Sequence, residues 1–357
     1  MEQKAAHSNR QVRLWLLAGV IMLSVQVILG GITRLTGSGL SITEWNLLTG
    51  TLPPLSAHDW QIAFGKYQHT PQYRWINADF TIGDFKFIYF WEWLHRLWAR
   101  LVGLVFLTGF LYLLATKRMN RRMVKPLLVL FCLGALQGAV GWIMVASGLT
   151  GDAIYVAPTR LALHFVFALV LICYSFWFYL QMVDGLPTLA FSPQGRGVAG
   201  VILCLVFIQL CYGALMAGHK AAALAPSWPT LNGYWLPPSN PGDNSGIRRL
   251  LEDKMLVQFI HRSLAYLLLL LTAWWSIALQ RNEAAKNWLG KTRWLPLGLL
   301  TCQVLLGILS LINSPGIVAN RWVLFDSLAL LHQLTAILFL LSMVFMVFIS
   351  RRRKARP

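Results

Sequence analysis

Charge is what this chain has least of. Only 12% of its 357 residues are Asp, Glu, Lys or Arg, about half the roughly 25% usual in a soluble domain. With 57% apolar residues and a mean hydropathy of +0.57, the composition excludes a soluble domain and indicates an integral membrane protein. Acids are scarcer still, 13 against 31 Lys and Arg. Cysteine is confined to Cys132, Cys173, Cys204, Cys211 and Cys302, all within apolar runs, so the loops that would face an oxidising compartment carry no disulfide. These thiols are expected to act as buried small apolar side chains. No A-x-A-like cleavage site follows the first apolar run, which therefore reads as a retained helix.

What the chain does have is eight apolar stretches, near 14–31, 87–116, 126–146, 161–182, 198–217, 257–280, 295–313 and 327–349. Each is long enough for a bilayer crossing, which takes about 20 residues. The N-terminus and every second connection hold 18 Lys and Arg, and the alternate connections hold 10 despite including the two longest loops. That asymmetry predicts a multi-pass protein with both termini in the cytoplasm. The net charge of +18 is thus a topology signal and not a nucleic-acid footprint, and the terminal "RRRKARP" reads as an anchor on anionic lipid.

Four of the eight histidines fall in spans, one each: His95, His164, His261 and His332, on the second, fourth, sixth and eighth. Counting along each span places all four at one depth near the outer surface. An internal repeat explains this. "WLHRLWARLVGL" (93–104) aligns with "FIHRSLAYLLLL" (259–270) at an offset of 166, which Gln137 and Gln303 share. "RLALHF" (160–165) falls opposite "LALLHQ" (328–333). The expected fold is an all-α membrane protein of eight transmembrane helices in two pseudo-symmetric four-helix bundles. Residues 1–190 form the first, with a long outer loop 32–85, and residues 191–357 the second.

A lone histidine in a span is most often bonded across a helix interface. Four of them, paired by repeat and depth, point to metal ligation. Zinc or copper would need a third ligand, and no Cys, His or acid lies at that depth beside both pairs. Heme iron, ligated by two imidazoles, fits better.

Glu92 is the only acid within the predicted spans, three residues before His95 and four before Arg96. The matching position before His261 is Gln258. A bundle that only held two hemes would have little reason for that difference, so Glu92 is a candidate proton acceptor, Arg96 its supporting cation and Gln258 its uncharged counterpart. A structural Glu92–Arg96 ion pair is the alternative. In the outer loop, "SAHDWQIAFGKYQ" (56–68) reads as a capped amphipathic helix on the membrane surface.

These residues also match a known family. "GGITRLTGSGLSITEW" (30–45), "TGTLPP", "FKFIYFWEWLHRLWARLVG" (85–103), "LGALQGAVGWIMVASGL" (133–149), "APTRLALHF" (157–165), "QFIHRSLAY" (258–266) and "LLHQLTA" (330–336) resemble heme A synthase, in its proteobacterial and mitochondrial branch. The resemblance covers nearly the whole chain. It implies a heme b cofactor ligated by His261 and His332 and a heme o substrate held between His95 and His164, with Glu92 in the catalytic set. The implied reaction oxidises a heme methyl to formyl, giving heme a for cytochrome oxidase assembly. It also implies an inner-membrane enzyme with heme sites on the periplasmic side, working beside heme O synthase, assembly factors and an electron donor or acceptor. The chain departs from the family at "GHKAAALA" (218–225), where His219 is read as an outer-surface residue, and it lacks the outer-loop cysteine pair of some bacterial relatives.

Two other readings stand beside this one. A di-heme cytochrome b-type quinol oxidoreductase would use four histidines as a permanent electron carrier, but usually places hemes on both sides of the membrane. A transporter would show paired Gly/Pro-broken helices at midplane, absent from these spans. Small residues in "GALQGAVG" (134–141) permit close helix packing within or between subunits, so a homo-oligomer is compatible.

Overall fold

Long apolar runs can cross hydrocarbon only if every backbone N–H and C=O is bonded internally, which the α-helix does. The computed structural model describes residues 2–45, 49–119, 121–186, 189, 191–238, 246–318 and 321–350. The terminal "RRRKARP" lies outside them. Among the described residues there are eight helices long and apolar enough to span a membrane: α1 (Glu2–Leu35), α2 (Ile82–Ala115), α3 (Arg121–Ala146), α4 (Pro158–Met182), α5 (Pro193–Gly218), α6 (Lys254–Leu279), α7 (Leu295–Ile312) and α8 (Leu324–Ser350). The protein is an all-α, multi-pass membrane protein.

The chain divides into two compact units. One comprises Leu17–Ile172 with Val318–Val323; the other comprises Cys173–Ile317 and Leu324–Pro357 with Met1–Leu16. In the first, α1 is tied to α2 by Trp98 Nε1, which donates to Met22 O (2.9 Å), and by Thr33 Oγ1, which donates to Trp91 O (3.3 Å). α3 is tied to α4 by Arg160 Nη1 donating to Ile143 O (3.2 Å). In the second, α5 packs on α6 and α7 on α8, while α5 also meets α8 and α6 meets α7. That closes a four-helix ring around Leu268, Trp275, Ile337, Leu340 and Met343, all buried.

Three details differ from the sequence expectation. α2 starts at Ile82, about a turn earlier than its apolar run, so Asp84 lies on the same helix as Glu92. α8 likewise starts at Leu324 and carries a buried Asp326. Helix capping, which periodicity does not register, sets the α2 start: Thr81 and Asp84 form a reciprocal capping box. The third concerns the cysteines. All five are free thiols on the long helices, but Cys132, Cys204 and Cys302 are exposed on the outer faces. They are lipid-compatible small side chains, not packed ones.

The short helix Ala57–Gln68 forms as expected, capped by Ser56 and Asp59. It does not stand apart from the spans. Its Tyr67 packs on Phe85 and Ile88 of α2, with Trp60, Phe64 and Tyr73 around them.

Candidate functional site

Each of the four histidines sits in the N-terminal half of an even-numbered helix and leans on the preceding odd-numbered one. There it meets a glutamine and, one turn on, a glycine. Gln26 Nε2 lies 3.2 and 3.1 Å from the two ring nitrogens of His95, and a Cβ on Gly30 would come within 3.1 Å of His95 Cε1. Gln137 Nε2 lies 3.2 and 3.4 Å from those of His164, with Gly141 at 2.8 Å by the same measure. Gln209 Nε2 is 3.5 Å from His261 Nε2, with Gly213 at 3.2 Å. Gln303 Nε2 is 3.1 Å from His332 Nε2, with Gly307 at 2.9 Å.

The motif is therefore Gln-x-x-x-Gly against His, four times over. Spacing i, i+4 puts amide and bare Cα on one helix face, and only glycine lets an imidazole edge approach so closely. The sequence reading found Gln137 and Gln303 through the repeat but missed Gln26, Gln209 and all four glycines. The available signal was the second offset: Gln26 to Gln209 and Gly30 to Gly213 are both 183 apart.

The structure brings the His261 and His332 rings together edge to face, centroids 6.4 Å apart and planes crossed at 71°. A metal–imidazole bond of about 2 Å on either side, with roughly 1 Å from each nitrogen to its ring centre, separates two ring centres by roughly 6 Å. The pair thus has the spacing of two axial ligands on one iron. Among the described residues no group of three or more His, Cys, Asp or Glu converges as a metal cluster.

Above each pair lies a clamp on the outer loop. Glu92 is 3% exposed. Its Oε2 accepts from Ser41 Oγ (2.7 Å) and from the Ile42 backbone N–H (2.8 Å), and its Oε1 accepts from Arg96 Nη2 (2.6 Å). Arg96 also donates to Glu44 O (3.0 Å) and Ile42 O (3.1 Å) and lies 5.0 Å from the Trp45 ring centre. The chain reaches this clamp because α1 ends in a Schellman turn. Gly37 takes φ +67°, and Ser38 N–H donates to Thr33 O (2.9 Å).

The second half repeats the clamp with the polarity reversed. Gln258 Nε2 donates to Ala225 O (2.9 Å), while Arg262 donates to Ala225 O (2.8 Å) and Thr230 O (3.1 Å). Where the loop offers donors, the helix carries a carboxylate; where it offers a carbonyl, the helix carries an amide. Loop polarity is thus a physical reason for the Glu92/Gln258 difference that sequence alone could not supply. His219 caps the C-terminus of α5 and donates from Nε2 to Leu251 O (2.8 Å), a structural role in the outer connection.

The chain is similar to several heme A synthases. It is 38% identical to that of Paracoccus denitrificans over 91% of this chain and 84% of the relative. It is 40% identical to one from Rhodopseudomonas palustris over 94% and 90%, and 37% identical to that of Flavobacterium johnsoniae over 94% and 97%. The family model described as cytochrome oxidase assembly protein, COX15-CtaA, matches residues 13–344. The chain belongs to the COX15-CtaA family of cytochrome oxidase assembly proteins.

Proposed function

We propose that this protein is a heme A synthase: an inner-membrane oxidoreductase that converts a methyl group of heme o into the formyl group of heme a. His261 and His332 hold a heme b cofactor, and His95 and His164 hold the substrate. Residues 1–190 and 191–357 act as pseudo-symmetric bundles, with both termini cytoplasmic and both heme sites toward the periplasm. The observation that carries this reading is the 6.4 Å spacing of two histidine rings, each so close to a glycine that a Cβ there would come within 3.2 Å of the ring, within a chain of this family.

A bound heme b would supply the one-electron redox chemistry that amino acids lack. The protein's own residues do the rest. The imidazoles fix two macrocycles at defined depths, and the apolar helices exclude water. The Ser41–Trp45 segment, held by Glu92 and Arg96, covers the outer end of the first site. Counted with water as the oxygen source, turning a methyl into a formyl group releases four protons and four electrons, and Glu92, one turn before His95, is the proposed proton acceptor. An external electron acceptor completes the reaction.

The test is pigment analysis of the purified protein. Heme b together with heme o or heme a is expected, and His261→Ala and His332→Ala should each lose heme b. A protein that carries only heme b in all four sites, with no substrate or product heme after co-expression with a heme o source, overturns the reading.

A further inference from the structure

We infer that Gln26, Gln137, Gln209 and Gln303 are positioning residues that set the ring plane and the choice of coordinating nitrogen of His95, His164, His261 and His332. The inference rests on the proposed bis-histidine heme sites and adds the shell behind the ligands.

Three observations carry it. The first is recurrence: each ligand histidine meets one glutamine amide from the neighbouring helix, at 3.1–3.5 Å, and always one turn before the glycine under the ring. A merely space-filling side chain would not need to be glutamine in four independent places. The second is that Gln26 and Gln137 also donate to the backbone carbonyl of their own histidine, both at 3.1 Å. One amide thereby spans ring and main chain and restricts ring rotation. The third is that the Oε1 atoms of all four glutamines are buried without a hydrogen-bond partner. Buried acceptors of that kind are costly unless a donor faces them.

The chemistry of the imidazole supplies the donor. A histidine that gives one ring nitrogen to a metal carries a proton on the other, and that N–H seeks an acceptor. The two ends of a carboxamide have the same shape, so at Gln209 a half-turn about the last bond places Oε1 where Nε2 stands, within reach of a ring N–H, whereas at Gln26 and Gln137 the bond to the histidine carbonyl holds Nε2 in place. At His332 the main chain of the same glutamine does this: Nδ1 donates to the Gln303 backbone carbonyl (2.9 Å), and the Gln303 side-chain amide lies 3.1 Å from Nε2, beside the nitrogen left for the metal. The Gln209 amide lies 3.5 Å from His261 Nε2, and the same ring's Nδ1 is buried without a hydrogen-bond partner. Glutamine suits the task because it both donates and accepts. Leucine would do neither, and glutamate would accept with a full negative charge, pulling the ring toward imidazolate and stabilising ferric iron.

The experiment uses the full-length holoprotein with Gln209→Leu and Gln209→Glu, read by redox titration and low-temperature EPR of the heme b signal. Gln209→Glu should keep its heme and shift the midpoint potential negative. Gln209→Leu should shift it positive, alter the ferric g-values and weaken heme retention by about 10- to 100-fold. Wild-type potential, g-values and retention in both variants would overturn the inference while leaving the heme reading intact. Should Gln209→Leu not fold, the sign of the shift in Gln209→Glu decides alone. A wild-type protein without any bis-histidine heme signal would instead overturn the reading on which the inference rests.

Discussion

At the scale of single residues, the glycines under the imidazoles are the least replaceable part of the site. A Cβ at Gly307 would stand 2.9 Å from His332 Cε1, and at Gly141 2.8 Å from His164 Cε1. Something must then move, at a cost of about 1–3 kcal/mol in a packed interior. Gly307→Ala should therefore lose most heme b, whereas Gly298→Ala on the same helix, where nothing lies within 4 Å, should keep it; absorbance per protein compares the two. Glu92 invites a second test. All three hydrogen bonds given for its carboxylate are accepted from donors, so Glu92→Gln must turn an NH2 group toward the Arg96 guanidinium or toward Ser41 and Ile42. Sequence and geometry agree that packing should change little while stability falls by about 3–5 kcal/mol, as when one member of a buried pair is removed. Glu92→Gln is expected to abolish heme a formation and lower the melting temperature while heme b stays bound. Normal heme a output from the destabilised protein would reduce Glu92 to a loop anchor.

At the scale of elements, the outer helices depend on one buried hydroxyl. Tyr67 OH donates to Gln72 Oε1 (3.1 Å) and accepts from Asn77 Nδ2 (2.7 Å), and Gln72 Nε2 in turn donates to Gly37 O (3.2 Å). Burial pushes the Tyr67 hydroxyl up to about 12, against the pull of the Asn77 hydrogen bond. A group whose folded value is raised stabilises fully below its ordinary value near 10 and loses that contribution as pH climbs through 12. Protection factors in residues 57–77, with the base-catalysed rise of intrinsic exchange divided out, should thus be unchanged between pH 7 and 9 and fall above pH 10. Tyr67→Phe strands two buried polar groups and should cost about 1–3 kcal/mol of local stability at pH 7, seen as faster exchange in the same segment. The eight spans and the Ser56 cap were readable from sequence because hydropathy and capping are local signals. Gln26 and Gln209 were not, because a pair of residues four apart is inconspicuous in an apolar helix until the neighbouring helix is placed. The clamp on Ser41–Trp45 was only half readable: the charge at Glu92 stood out, but the donors it serves are backbone groups of the loop.

At the scale of the whole molecule, each unit carries one of the two histidine pairs, so on the proposed assignment the two heme sites should fail separately. His95→Ala is expected to stop heme a production and leave the heme b spectrum at wild-type intensity, and His261→Ala should do the reverse to the spectrum. Difference spectra of membranes expressing each variant check this; loss of heme b in His95→Ala would mean the halves do not fold independently around their ligands. On the same proposed assignment no hairpin within a half is self-sufficient, because a macrocycle would need histidines from two of them, each beside its own glutamine and glycine. That has a consequence during biosynthesis. A ribosome-bound chain with two emerged helices can hold no heme, and the site of His95 and His164 is complete once the fourth helix has left the translocon. The site of His261 and His332 waits for the last helix, so the newborn protein gains its substrate pocket before it gains the cofactor that makes the pocket productive.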